Sequence, residues 1–320
     1  MTSTLGTVLS PALARALDEV HVAPGGRSAV VHGDVIEADS PRALRATLSS
    51  TLYRRLHMGQ PPAAALGAGA DRPRSSRDAP FERALSAAVP HRHTVVRGRV
   101  LAEVDGGAVV ALPDAVVQVP ASALSAPGVP GDVVEVRVPA ARPGLSPGFL
   151  LVQSTGPARP PGDDGLQRVY VHVPEADRAA SVWAEVLSVL AGHGGGHRSK
   201  VASSPQAYPR QDAIVVYSGS AAEIAGLLVR RLAGHPGTGA STSPFAEAVG
   251  PGVAVASEPA DDRAGRRGLS FGEHRCGLVA DALVACAMGA GRWDVHGAVA
   301  AALVAGRVDP LRPAYNLPPA

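Results

Sequence analysis

Residues 166–217 read LQRVYVHVPEADRAASVWAEVLSVLAGHGGGHRSKVASSPQAYPRQDAIVVY, and their reading decides the fold. Residues 166–173 alternate as a strand does, with Val169, Val171 and Val173 on one face and Arg168, Tyr170 and His172 on the other. Residues 175–191 follow with Ala179, Val182, Trp183, Val186, Leu187 and Leu190 at helical spacing. A glycine run at 192–196 breaks the chain, a short strand carries Lys200, and 213–217 is another strand. Lys200 is the one lysine among 30 Lys and Arg residues. Two readings stand side by side: a residue left on the surface by chance, or an amine that arginine cannot replace because it must give up its proton.

Outward from this stretch, residues 220–234 predict a helix, 252–256 a strand, and 270–289 and 295–305 two further helices, ending in an extended, proline-rich tail. Upstream, β-branched runs between 95 and 155, divided by Gly, Pro and Asp, predict a small antiparallel module. Residues 11–20 have helical spacing, 27–36 read as two short strands around Gly33-Asp34, and Ser40-Pro41 opens a helix with Leu44, Leu48, Leu52, Tyr53 and Leu56 on one face. The expected class is α+β, in three parts: a mainly helical region 1–94 with a loop at 59–80, a β-rich module 95–156, and an α+β domain 166–320 after a linker at 157–165.

A hydrophobic content of 46% in 320 residues supports real cores, and a net charge of +2 makes no demand for nucleic acid. No apolar run reaches the roughly 18 residues that span a bilayer, and no signal peptide is legible, so the expectation is a cytoplasmic protein. Cys276 and Cys286 on one helix would stand roughly 15 Å apart, too far for a disulfide.

Several motifs compete. Gly268-Leu269-Ser270-Phe271-Gly272 matches a nucleophile elbow, but a polar loop rather than a strand precedes it. Ser270 to Glu273 also fits a capping box, which would place Arg275 near a helix N-terminus suited to anions, unless it pairs with Glu258 or Asp281. Lys200 lacks the flanking Gly and Ser/Thr of a P-loop. His91/His93 and His193/His197 lie in loops without cysteine or paired carboxylates and read as solvated, so no metal is expected.

The pieces LSSTLYRRLHMG (48–59), GDVVEVRVPAARPGLSPGFLLV (131–152), RVYVHV (168–173), Lys200, YPRQDAIVVY (208–217), SPFAEAVGPGVAVASEP (243–259), SFGEHRC (270–276) and PAYNLP (313–318) resemble, in order and spacing, the HopA-type effector family. That family includes type III effectors and lyases of class V lanthipeptide and thioamitide pathways. The resemblance implies a lyase that eliminates phosphate from Ser or Thr of a precursor peptide phosphorylated by a kinase-like partner. The C-terminal half is also similar to the OspF/SpvC phosphothreonine lyases. This implies Lys200 as general base and Arg168, Arg210 and Arg275 as phosphate ligands, without metal or organic cofactor. The lyase histidine falls on Tyr170, with His172 two residues on, so the general acid is one of these two. The alternative is a non-catalytic, effector-like protein that binds a peptide or kinase.

Overall fold

The computed structural model describes residues 8–62, 77–113, 115–155, 165–289 and 294–318. In chain order it contains α1 (Pro11–Leu17), β1 (Val20–Val22), β2 (Ser28–Val31), β3 (Asp34–Glu37), α2 (Pro41–Leu52), α3 (Ala79–Ala87), β4 (His93–Val104), β5 (Gly107–Ala111), β6 (Val116–Pro120), β7 (Val133–Pro139), β8 (Ala141–Ser146), β9 (Phe149–Gln153) and β10 (Leu166–Val173). There follow α4 (Ala179–His193), β11 (Arg198–Ala202), β12 (Arg210–Tyr217), α5 (Ala221–Arg231), β13 (Glu247–Gly250), β14 (Val253–Ser257), α6 (Phe271–Ala287) and α7 (Val295–Ala305). The class is α+β, as expected.

Local sequence sets the helix starts. Ser10, Ser40, Asp78, Ser270 and Asp294 each accept a hydrogen bond from the backbone N–H three residues on, satisfying a donor the helix leaves unpaired. Gly194, at φ 70°, ends α4 in the left-handed conformation that glycine adopts without strain.

The centre is a seven-stranded antiparallel sheet in the order β13-β14-β10-β12-β11-β9-β8. Val169, Val171 and Val173 join the core under α4 and α5, together with the buried Trp183. The opposite face, through Tyr170, Val215 and Ala256, packs against α1, α2, α6, α7 and the β1-β2-β3 sheet. Burying both faces of one sheet makes the N-terminal helices and α6–α7 part of a single core. Four strands, β6-β5-β4-β7, form a second small sheet around Val100, Val110 and Val136.

Three expectations change. The run FLLVQ, read as part of the β module, is β9 and pairs with the Lys200 strand; Lys200 stands opposite Leu151. Strand periodicity says that a segment is extended, not which strand it joins. The 59–80 loop ends two residues early, where α3 starts at Ala79 on its Asp78 cap, while 63–76 and the 156–164 part of the linker lie outside the described residues. The tail folds back, with Val308 bridging Asn316 and Leu317 N–H bonding to the Arg307 carbonyl, instead of running extended.

Candidate functional site

The face of the sheet toward α2 and α6 carries two polar rows. Arg198, Tyr217 and Arg168 stand opposite one another across β11, β12 and β10, and Lys200, Val215 and Tyr170 form the adjacent row. Two aromatic rings separate the cations. The Phe149 ring lies 4.2 Å from Lys200 Nζ and 4.6 Å from the Arg210 guanidinium carbon. The Tyr217 ring lies 4.9 Å from Arg168, 5.0 Å from Arg198 and 5.7 Å from Lys200. Cation–π attraction of about 0.5–2 kcal/mol per contact offsets part of the mutual repulsion.

Carboxylates hold two of these cations. Glu258 takes Nε and Nη2 of Arg168, both at 2.5 Å, and Asp212 takes Nε and Nη2 of Arg210 at 2.6 and 3.0 Å. Among the described residues no carboxylate lies within 4.0 Å of Lys200 Nζ. Burial would raise the Asp212 pKa; the Arg210 charge and His57 outweigh it and hold the carboxyl well below its ordinary range.

A π-helical turn at Tyr53–His57, closing α2, brings two further rings onto this face. Tyr53 Oη lies 3.4 Å from Arg210 Nη2, and His57 bridges Asp212 Oδ2 (3.5 Å from Nε2) to Ser243 Oγ (3.3 Å from Nδ1). His57 also meets Tyr170 edge-on at 5.5 Å. Gly272 of α6 makes this approach possible, because a Cβ there would stand 2.3 Å from the His57 ring. Tyr53, His57, Asp212 and Glu258 all fall in segments quoted above, yet no local pattern marks them. Their partners are 90 to 186 residues away in sequence, or on the same strand but visible only once its face is known.

The six residues singled out from sequence do not share one place. Arg168, Lys200 and Arg210 come together. Tyr170 lies beside them but buried; its hydroxyl has no hydrogen-bond partner among the described residues, and burial, opposed by the Arg168 cation, raises its pKa. His172 does not complete the face. The pairing of β10 shifts register between Val171 and Val173, and the imidazole turns to Ser241 Oγ at 3.1 Å beneath Gly239, where burial lowers its pKa.

Arg275, expected at an anion site, is 0% exposed. Its Nε donates to the Pro313 carbonyl, Nη2 to Asn316 Oδ1 and Nη1 to His274 Nδ1, so it clamps the C-terminal segment. Glu258 and Asp281, its proposed alternatives, pair with Arg168 and Arg266. The capping box is present, and Ser270 serves as that cap, accepting from Glu273 N–H. His193 pairs with Glu223 and His91 with the Gln153 carbonyl. Among the described residues no group of three metal-ligating side chains occurs, and no helix is long and apolar enough to cross a membrane.

His274 gives the fold a pH dependence. It accepts from Arg275 at Nδ1 and therefore donates from Nε2 to Asp261 as a neutral ring. Burial, then the Arg275 charge, lowers its pKa to about 4 against the opposing Asp261. The unfolded ring, near 6.5, takes up its proton first as pH falls. The contribution is therefore complete above about pH 6.5 and is lost toward pH 4. The denaturation midpoint should fall across that window, and His274→Gln should remove that segment of the curve, leaving the carboxylate-driven loss below about pH 4 to which Asp212 contributes.

Fold and site together define an α+β protein with one cationic, aromatic-lined sheet face closed by helices. The chain belongs to the HopA1 effector protein family, whose model matches residues 140–315. It is similar in structure to the effector protein from Pseudomonas syringae pv. syringae strain 61, at 12% identity over 86% of this chain and 98% of that one, with a TM-score of 0.45. It is also similar to the effector from Pseudomonas syringae pv. tomato strain DC3000, at 17% identity and a TM-score of 0.41, over 53% of this chain and 63% of that chain, just under two thirds of its length. No curated protein matches it in sequence.

Proposed function

We propose that the chain is a phosphoserine/phosphothreonine lyase acting on a precursor peptide that a kinase-like partner phosphorylates, in lanthipeptide or thioamitide biosynthesis. The observation that carries this reading is Lys200. Its amine rests on two rings among three arginines, without a carboxylate partner among the described residues. An amine without a carboxylate partner among the described residues, beside Arg168 and Arg210, favours an added anion such as a phosphate dianion. Arg168 and Arg210 each bind their carboxylate through Nε and Nη2, which leaves their Nη1 edges for phosphate oxygens.

In the elimination, the Lys200 amine, acting as base, removes the Cα proton. The released electron pair forms the Cα=Cβ bond, the Cβ–O bond breaks, and phosphate departs with its electrons to the arginines, giving dehydroalanine or dehydrobutyrine. No electron acceptor or metal enters this balance. Tyr170, on the same face, and His172, under the 239–241 turn, remain the two acid candidates, and the position of Tyr170 favours it. Mass spectrometry of a synthetic phosphothreonine peptide incubated with the protein should show loss of phosphoric acid and a dehydroamino acid. Return of the intact phosphopeptide, or of a hydrolysed threonine, would reject the reading.

Arg168→Gln should weaken binding of the phosphopeptide about tenfold or more, the scale of one charge-assisted hydrogen bond, and leave the unphosphorylated peptide unaffected. Titration by fluorescence anisotropy distinguishes the two. One observation favours the second reading, a non-catalytic peptide- or kinase-binding protein. Both arginine forks are already held by Glu258 and Asp212. In that case both peptides would bind equally and neither would change mass.

A further inference from the structure

Behind Arg210 lies a buried network that the elimination chemistry does not use. Arg210 and Asp212 stand two residues apart on β12, so both side chains leave the same face of the strand. Asp212 takes the Arg210 Nε and Nη2 protons, and its Oδ2 also faces His57 Nε2 at 3.5 Å. An ionised carboxylate only accepts, so the ring proton of His57 sits on Nε2. Nδ1 is then an acceptor, and Ser243 Oγ, 3.3 Å away, donates to it. The same Oγ accepts from the Phe245 N–H at 3.3 Å, which leaves the hydroxyl proton for the ring. Donors and acceptors therefore alternate without conflict from the Phe245 backbone to Asp212.

The ring has little room to move. His57, Asp212 and Ser243 are all buried. The His57 centroid lies 5.2 Å from Tyr53, 5.5 Å from Tyr170 and 5.7 Å from Phe271, and the ring rests against Gly272. The Gln211 N–H donates to the Met58 carbonyl at 2.8 Å, which ties β12 to the π-helical turn through backbone alone. An aspartate has two side-chain torsions. A fixed ring against Oδ2 selects the rotamer in which both oxygens meet the Arg210 guanidinium.

We propose that His57 is a positioning residue, which fixes Asp212 and through it the direction in which Arg210 presents its guanidinium to an anion. The consequence for phosphate rests on the lyase reading above, whereas the orientation of Arg210 does not.

Two substitutions separate the ring from its nitrogens. His57→Phe keeps an aromatic ring and loses both of them, and His57→Gln keeps an amide donor at similar reach. In the parent, the imidazole nitrogen chemical shifts should place the proton on Nε2. Without any ligand, hydrogen exchange at the Arg210 Nε–H should quicken at least ~tenfold in His57→Phe and stay within about threefold of the parent in His57→Gln, the scale of one charge-assisted hydrogen bond. Ser243→Ala frees the ring proton to move to Nδ1 and should quicken the exchange in the same direction, so the test survives a His57→Phe variant that fails to fold. Affinity for a phosphothreonine peptide should follow the exchange rates, with affinity for the unphosphorylated peptide unchanged. A proton on Nδ1 in the parent, parental exchange at Arg210 in the variants that fold, or equal losses for both peptides would overturn the proposal. A parent that binds both peptides equally would reject the phosphate reading instead, and the tautomer and exchange rates would still decide the role of His57.

Discussion

Lys200→Arg should reduce dehydration of a phosphothreonine peptide by roughly 10²–10⁴-fold, the range of general acid–base catalysis, while unfolding at the same temperature as the parent. The substitution keeps the positive charge and the stacking on Phe149 and Tyr217. A guanidinium also accepts no proton at neutral pH. Any purely electrostatic or packing role for this side chain would therefore survive the change, and a role as base would not. Lys200→Ala should lose the reaction as well, with little effect on folding, because the lysine is only partly buried and forms no ion pair among the described residues. Phosphate release by Lys200→Arg at more than about a tenth of the parental rate would remove Lys200 from the chemistry.

Arg275→Ala should act in the opposite way, on stability and not on phosphate recognition. The guanidinium is fully enclosed and holds the Pro313 carbonyl, Asn316 and His274. Burial lowers its pKa only to about 9, so the charge is retained at neutral pH. Its removal leaves a cavity and three unsatisfied acceptors, a loss of about 3–5 kcal/mol. Asn316 in turn donates to the Glu258 carbonyl, the residue that carries the partner of Arg168, so the C-terminal fold and the edge of the site should loosen together. Chemical denaturation and amide exchange at 306–318 measure this. An unchanged unfolding midpoint with a selective loss of phosphopeptide affinity would restore the phosphate-ligand role that the family resemblance implies.

Much of the architecture is legible in the chain because local physics fixes it. Ser40-Pro41 and Ser270 through Glu273 start their helices through hydrogen bonds that span three residues. Val169, Val171 and Val173 announce the core face of β10 by alternation alone. Of the residues that the family resemblance names, Arg168, Lys200 and Arg210 share a face.

The remainder was decided by tertiary structure. Alternation assigned His172 to the face of Tyr170, but the register shift in β10 and the 239–241 turn take it elsewhere. The helix N-terminus near Arg275 suggested an anion site until the tail folded over it. Strand β9 read as part of the β module and lies instead beside Lys200. Tyr53, His57 and Asp212 form one buried network around Arg210 from segments more than 150 residues apart. Caps, turns and alternation act over a few residues and are written in the order of the chain. Sheet order, register and the partner of a buried charge depend on which distant surfaces exclude water together, and no short stretch of sequence carries that information.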